Sequence, residues 1–206
     1  MGQPGTLRER RTLETRQLIL DAAYTVFARR GYGGAAVDEI VAEAGLSKGA
    51  FYHHFPSKEA VFQALLAARA RRCTEAMAAA IVTGSSVADN VRSVLRAGWK
   101  IVTDDPMWAN IQMEFWVQAT REDWARQAMS DSLRQCRQFL ADAFTAAQER
   151  GTVRAQFDPE AAARLVIALS DGVVVQWQIQ PDEVDPHDLI EPMAEMITSY
   201  LTCPAS

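Results

Sequence analysis

The stretch that most constrains the fold runs from Val37 to Phe55, VDEIVAEAGLSKGAFYHHF. Gly45 suits the left-handed position that ends a helix, and Ser47 two residues later is a good N-cap for another. Apolar residues recur at i, i+3, i+4 and i+7 before the glycine, which predicts one buried helix face: Val37, Ile40, Val41 and Ala44. The stretch therefore predicts two short helices joined by a three-residue turn.

The second of these helices separates into an inward and an outward side. Phe51 and Phe55 are four residues apart, so both are expected to point inward. Gly49 on the other side costs about 1 kcal/mol relative to Ala, but it lets the backbone approach another surface closely. His54 is expected to have a structural role. Each outward residue taken alone fits an ordinary surface position, whereas together they predict a face that docks into a groove: Lys48, Gly49, Tyr52 and His53.

Lys58 stands in the first turn of the next helix, after Pro56 and the predicted N-cap Ser57. The helix dipole disfavours a cation at this position. A DNA phosphate bound there would reverse the sign of that effect. The alternative is a lysine that simply points to water.

The segment VDEIVAEAGLSKGAFYHHFPSKEAVFQALL is similar to the helix-turn-helix signature of the TetR family of bacterial transcriptional regulators. The family often has Thr just before the first of these helices, where this sequence has Ala35 and Ala36, so that cap and its phosphate contact are expected to be missing. The resemblance implies a set of residues that face the major groove or its flanking phosphates: Ser47, Lys48, Gly49, Tyr52, His53 and Lys58.

The charge distribution favours a local contact with nucleic acid over a general one. Residues 1–58 carry eight Lys and Arg against six Asp and Glu, and residues 59–206 carry 13 against 20. A net charge of −5 argues against a protein that coats nucleic acid. The basic excess lies at the N-terminal end, where Arg8, Arg10, Arg11 and Arg16 follow a short polar arm. Contact of this arm with the minor groove and an ordinary solvated flank both remain open.

Several other classes of protein are disfavoured. Cys73, Cys136 and Cys203 are widely spaced and predict neither a disulfide framework nor a metal site. No signal peptide or membrane-spanning run is recognisable, so we expect a cytoplasmic protein with no membrane partner. The sequence has no phosphate loop, nucleophile elbow or HExxH motif, and we expect neither enzymatic activity nor a cofactor.

The remaining chain shows helical periodicity throughout. Residues 59–80 predict a long helix, and further helices are expected over 87–102, 122–150 and from 159 onward. The predicted fold is all-α, with an N-terminal three-helix helix-turn-helix DNA-binding domain and a C-terminal helical ligand-binding and dimerisation domain. The predicted boundary divides residues 1–58, which include the N-terminal arm, from residues 59–206.

Aromatic and methionine side chains of the second domain are candidates for a small-molecule site, since such pockets are largely apolar with few polar groups. Most such clusters at helical spacing are plain core, so that alternative remains open for each residue. The candidate ligand-binding residues are Trp99, Met107, Trp108, Gln112, Met113, Trp116, Phe144 and Trp177. They predict an apolar or aromatic effector.

Two helices are predicted after residue 159, one over ARLVIALSDGVVVQWQIQ and a final one from about Leu189 to Tyr200. The first is apolar on more than one side, which indicates that a second copy of the chain covers these two helices. Ala168 and Gly172 would allow a close helix approach. We expect a homodimer through a two-fold four-helix bundle. Asp171 within this region is expected to be a buried acid with satisfied hydrogen bonds.

These features predict a dimeric, sequence-specific transcriptional regulator that binds a roughly palindromic double-stranded DNA operator and is released by a small-molecule effector. Repression is preferred, and activation remains open as an alternative. The alternative function is a helical small-molecule-binding or protein-interaction dimer without specific DNA binding.

Overall fold

A computed structural model describes residues 6–202 of the chain. Within that range the secondary structure consists of nine α-helices and no strand. The helices are α1 Leu7–Gly34, α2 Val37–Glu43, α3 Lys48–His54, α4 Lys58–Ala80, α5 Val87–Thr103, α6 Pro106–Ala119, α7 Asp123–Glu149, α8 Pro159–Ile179 and α9 Ile190–Thr202. The all-α prediction is confirmed.

The chain divides into two compact units. The first contains the described residues up to Ala68 together with Asn110–Met129, and the second contains Arg69–Ala109 and the described residues from Ser130 onward. The first unit therefore extends beyond the predicted boundary at residue 58. Helices α4, α6 and α7 each contribute residues to both units.

Helix α1 begins at Leu7 and includes the basic residues that follow the predicted polar arm. Thr6 is its N-cap and exchanges reciprocal hydrogen bonds with Glu9, so the first basic residues lie in helical turns. Leu13 is 67% exposed, and the buried stripe of α1 starts only at Ile19. Residues 1–5 of the predicted arm lie outside the described part of the chain. Gly31 has φ +70°, which interrupts the helical backbone near the end of α1.

The first unit is built around large buried side chains. Helix α1 packs on α2, and α2 packs on α3. The phenylalanine ring of Phe62 on α4 stacks on that of Phe115 on α6, with centroids 3.9 Å apart. The fully buried side chains of this unit include Ile19, Val26, Phe27, Ile40, Phe51, Val61, Phe62 and Phe115.

The helix-turn-helix follows the predicted capping pattern. Gly45 has φ +65° after α2, and the Ser47 hydroxyl accepts a hydrogen bond from the Ala50 N–H at 3.1 Å. Ala36 caps α2 without a side-chain hydrogen bond, as its methyl group requires. The Glu39 carboxylate instead accepts from the Ala36 N–H at 3.2 Å.

The second unit has its own apolar core, in which α5 packs on α9. Side chains from α5, α8, α9 and the α7–α8 connection form it: Leu95, Trp99, Val153, Phe157, Ala162, Val173, Ile190, Met193, Ala194, Ile197 and Leu201. A smaller cluster around Leu140 and Ala163 joins α7 to α8.

Helices α8 and α9 leave large apolar side chains exposed: Leu165, Leu169, Ile179, Met196 and Tyr200. Helix α8 is also long and apolar enough to cross a membrane by length and composition alone. Core and interface helices of soluble proteins pass the same test, so this property is weak support for a membrane span.

Candidate functional site

The outward side of α3 is exposed as the helical spacing predicted. Phe51 and Phe55 are buried at 0% and 3% exposure, whereas Tyr52 on the opposite side is 53% exposed. The structure brings five predicted residues together within two turns of backbone, and all of them are exposed: Ser47, Lys48, Gly49, Tyr52 and His53. The inward phenylalanines fix the helix while this outward set faces solvent.

Nothing inside the fold requires a glycine at position 49. A Cβ added to Gly49 would have the Ser47 hydroxyl oxygen as its nearest neighbour, at 3.8 Å. That distance is an ordinary van der Waals contact. The missing side chain therefore leaves room on the outer surface of α3 and relieves no internal clash.

Lys48 forms an ion pair across the turn with Asp38 of α2, with 2.7 Å between the ammonium nitrogen and a carboxylate oxygen. Hydrogen bonding to Asp38 raises the pKa of Lys48. Both side chains are exposed, so the pair is weak and exchangeable. A phosphate could take the place of the Asp38 carboxylate at this lysine.

Lys58 packs against the end of α1 and does not simply point to water. Its ammonium donates hydrogen bonds to the carbonyl oxygens of Tyr32 and Ala35, each at 2.8 Å, and lies 4.4 Å from the Tyr32 ring centroid. Burial lowers the pKa of Lys58. An ammonium has three N–H donors, so one remains for a further acceptor. A phosphate contact by Lys58 stays a prediction.

Arg16 of α1 is a basic residue at the end of α3 that the motif did not single out. Its guanidinium lies 4.8 Å from the Phe55 ring centroid. Burial lowers the pKa of His54, and the nearby His53 and Arg16 lower it further. The structural role predicted for His54 fits this partly buried position.

The eight candidate effector residues are divided between the two units. Gln112, Met113 and Trp116 belong to the first unit. In the second unit, Trp99 belongs to the main core and Phe144 packs against it. The remaining second-unit candidates are Met107, which is exposed, Trp108, which is buried near the Arg69 guanidinium, and Trp177, which is partly buried.

Three side-chain polar atoms of the second unit are buried without a partner among the described residues: Trp99 Nε1, Arg154 Nε and Thr198 Oγ1. The Trp99 side chain is 3% exposed, and its indole N–H has no acceptor among the described residues. No hydrogen bond or ion pair is found for the Asp171 carboxylate within residues 6–202, and burial raises its pKa to about 6. Asp171 is only partly buried, so the expectation of a buried acid with satisfied hydrogen bonds is not confirmed.

Two free cysteines lie in the same unit as Asp171. Burial raises the pKa of the Cys136 thiol to about 12, with smaller contributions from Cys73 and Asp171. Burial likewise raises the pKa of Cys73. Both thiols are therefore protonated and poorly nucleophilic at neutral pH. Cys203 lies outside the described residues.

A groove of about 400 Å³ runs along one side of α7 and includes none of the candidate effector residues. Four of its five lining residues are polar: Asp131, Arg134, Gln135, Gln138 and Phe139. These residues recur at helical spacing on a single helix, so the groove is shallow and open to solvent.

Comparison with known families agrees with the exposed helix-turn-helix. Residues 19–65 match the family described as bacterial regulatory proteins, tetR family. Residues 87–202, which are more than half of the chain, match the C-terminal family of BetI-type transcriptional repressors. The chain belongs to the TetR family of bacterial transcriptional regulators. Members of this family are bacterial transcriptional regulators, and the prediction of a DNA-binding transcriptional regulator is confirmed at that level.

Similar proteins cover most of this TetR-family chain. The transcriptional regulator LuxR of Vibrio harveyi is 25% identical over 91% of both chains. The regulator TtgR of Pseudomonas putida is 28% identical over 84% of both chains. The crystal structure of FadR from Bacillus subtilis in complex with stearoyl-CoA shares the fold with a TM-score of 0.76, at 22% identity over 89% of this chain and 97% of FadR.

The TetR-family motif predicted the exposed face of α3, and it missed the groups that hold the turn before α2. Glu114 of α6 hydrogen-bonds that turn at Tyr32 and Gly33. Tyr32 lies 82 positions and Gly33 lies 81 positions before Glu114 in the sequence, so no local spacing relates them to it. The sequence signal that could have found this turn is the group Gly31, Gly33 and Gly34, because glycine readily adopts the positive φ that such a turn can require.

Proposed function

We propose that the chain is a dimeric repressor in which each α3 reads one half of a roughly palindromic operator, and that a small-molecule effector releases it. The observation that supports the reading role most strongly is the outward face of α3, where an exposed lysine, tyrosine and histidine surround a glycine that the fold does not require. A helix that must enter the major groove needs such a face. Activation would use the same contacts.

The residues of this face have different proposed roles. Lys48 contacts phosphate once DNA displaces Asp38, and Ser47 donates to a neighbouring phosphate. Gly49 allows close approach of the backbone, while Tyr52 and His53 reach the base edges. The third N–H of Lys58 is proposed to contact the DNA backbone at the start of α4.

The proposed dimer interface lies on α8 and α9. Leu165, Ile179 and Met196 are each more than half exposed, and no described part of the same chain covers them. A second copy would bury them in a four-helix bundle. Two-fold symmetry then requires the two α3 helices to lie about 34–36 Å apart, or a multiple of that distance.

The proposed effector is apolar or aromatic and carries an acceptor atom. The buried indole N–H of Trp99 supports the acceptor, because a buried donor without a partner costs about 1–3 kcal/mol. Stearoyl-CoA is a reasonable first probe, because FadR of Bacillus subtilis binds it within the same fold. Trp99→Phe keeps the ring and removes the donor, so it should weaken effector release without altering operator binding.

The DNA flanking the chain's own coding region provides the test. Fluorescence anisotropy should show tight binding to one fragment of that DNA, with a steep dependence on salt and a clear preference over random duplex. His53→Ala should change the sequence preference. Equal affinity for operator and random DNA would contradict the proposal and favour a binding module that does not read sequence.

A further inference from the structure

Residues 31–36, with the sequence GYGGAA, comprise the end of α1 and its link to α2, and are called the turn between α1 and α2. Ala36 cannot cap α2 through its side chain, and the Glu39 carboxylate supplies one return hydrogen bond. This turn sets the direction in which α2 and then α3 leave α1. The groups that hold it come from distant parts of the chain.

Glu114 of α6 is one of those groups. Its carboxylate accepts hydrogen bonds from the N–H of Tyr32 at 2.8 Å and from the N–H of Gly33 at 3.4 Å. The Lys58 ammonium binds the carbonyl oxygens of Tyr32 and Ala35. A carboxylate thus holds the N–H of Tyr32 and an ammonium holds its carbonyl. Charge-assisted hydrogen bonds of this kind are stronger than neutral ones.

Gly31 provides the space for the carboxylate. Its φ of +70° is a left-handed conformation that disfavours other residues. A Cβ at this position would lie 2.8 Å from both oxygens of Glu114, closer than real Cβ contacts allow. The backbone conformation therefore favours glycine, and a side chain at this position would have to move the Glu114 carboxylate away from the turn.

The side chain of Tyr32 fastens the turn to the core of the first unit. Its hydroxyl donates to Glu59 at 3.2 Å, and burial, with help from Glu59, raises the pKa of Tyr32 so that the hydroxyl remains a donor. Its ring contacts those of Phe62 and Phe115, with centroids 5.2 and 5.9 Å away. Adjacent residues of α6, Glu114 and Phe115, thus touch the backbone and the ring of one tyrosine.

We propose that Glu114 is a positioning residue for DNA binding, whose carboxylate holds the turn at Tyr32 and thereby fixes the direction of α2 and α3. The inference rests on the proposed reading role of α3. Helix α6 also carries the effector candidates Gln112, Met113 and Trp116. A ligand that displaces α6 would break the hydrogen bonds from the Tyr32 and Gly33 amides to the Glu114 carboxylate. The direction of α3 would then no longer be fixed.

Operator affinity of Glu114 variants is the first test. Glu114→Ala should weaken binding on the order of tenfold, because it removes a charge-assisted hydrogen bond to each of two amides. The salt dependence should stay that of the parent, since Glu114 touches no phosphate. Glu114→Gln keeps one acceptor oxygen and should recover part of the affinity. Glu122→Gln removes the same charge from the same unit and should bind like the parent.

Amide hydrogen exchange separates positioning from general loss of stability. In Glu114→Ala the N–H groups of Tyr32 and Gly33 should exchange on the order of tenfold faster, while the Phe62 amide in the interior of α4 exchanges at the parental rate. This measurement requires no DNA. It therefore distinguishes a failed positioning role from a failed reading role for α3.

A double-mutant cycle tests the contact between Gly31 and the Glu114 carboxylate. Gly31→Ala should weaken operator binding in the parent, and it should do so less in the Glu114→Ala background because the contact with the carboxylate is gone. Additive losses would overturn the proposal. Parental operator affinity of Glu114→Ala would overturn it as well, and so would an equal rise of exchange at Tyr32 and Phe62.

Discussion

The exposed face of α3 and the turn between α1 and α2 meet opposite requirements. On α3 the polar groups have weak or exchangeable partners, and Gly49 has open space around it. In the turn the N–H and the carbonyl of Tyr32 are both hydrogen-bonded, and a Cβ at Gly31 would have to displace the Glu114 carboxylate. The outward face of α3 is therefore available to an external ligand. The turn between α1 and α2 is instead held by hydrogen bonds from other residues of the same chain.

The difference shows how a regulator of this kind separates recognition from orientation. Residues that read DNA must remain exposed and keep little influence on folding. Residues that aim the reading helix are partly buried and should influence stability and affinity together. A matched substitution in each region can therefore distinguish the two roles.

The largest contrast is expected between two aromatic residues. Phe62→Ala should lower the free energy of unfolding by about 3–5 kcal/mol, because it empties a fully buried site that stacks on Phe115. Tyr52→Ala should leave stability unchanged and weaken operator binding. Denaturant titration and anisotropy measure the two effects. A clear loss of stability in Tyr52→Ala would show that α3 needs this ring for folding.

Asp171 extends the comparison to a carboxylate that lacks the partners of Glu114. Its folded pKa of about 6 exceeds the ordinary 3.8, so the folded state binds the proton more tightly. Stability contributed by this group is present below about pH 4 and is lost as pH rises through about 6, by at most about 3 kcal/mol. Asp171→Asn should remove that decline in thermal unfolding between pH 4 and 7. If thermal stability of Asp171→Asn declined between pH 4 and 7 as in the parent, the raised pKa of the Asp171 carboxyl would be contradicted.

Two glycines provide the next contrast. Gly31→Ala should cost about 1–3 kcal/mol, because its left-handed backbone and the Glu114 oxygens both oppose a side chain. Gly49→Ala should stabilise α3 by up to about 1 kcal/mol and still weaken operator binding. Unfolding and binding titrations on both variants provide the comparison. If Gly49→Ala bound the operator as tightly as the parent, the proposed close approach of the α3 backbone to DNA at Gly49 would be contradicted.

The smallest contrast concerns two lysines. Lys58→Ala should cost about 1 kcal/mol, because it leaves the carbonyls of Tyr32 and Ala35 without their donor. Lys48→Ala should leave stability unchanged, since Lys48 and Asp38 are both exposed. Denaturation midpoints of the two variants test this. Equal midpoints would show that water replaces the Lys58 ammonium at no cost.

Local features of the fold were predictable from the sequence, because neighbouring residues encode them. Ser47 caps α3, Gly45 ends the helix before it, and the phenylalanine spacing placed the outward face. The carboxylate of Glu114 was not predictable, since its partners are 81 and 82 residues away. Gly31, Gly33 and Gly34 at the end of α1 are a sequence signal for a turn, but they do not identify the carboxylate that hydrogen-bonds to it.

The effector site was predicted less well than the reading face for a related reason. Periodicity identifies which residues are apolar, and it cannot separate core packing from the lining of a pocket. Trp99 illustrates the limit, because the sequence marked it as an aromatic candidate and only the structure shows its indole N–H without an acceptor. The exposed Leu13 shows the same limit for the beginning of a core stripe.

The most direct test of the central claim is the salt dependence of operator binding by Lys48→Ala beside that of Lys100→Ala. Lys100 on α5 is a matched control, because it is exposed and pairs with Asp104 at 2.9 Å much as Lys48 pairs with Asp38. If α3 reads DNA, Lys48→Ala should reduce the slope of log K against log salt by about 1, and Lys100→Ala should leave it unchanged. Identical slopes for the parent and Lys48→Ala would contradict the proposed reading face.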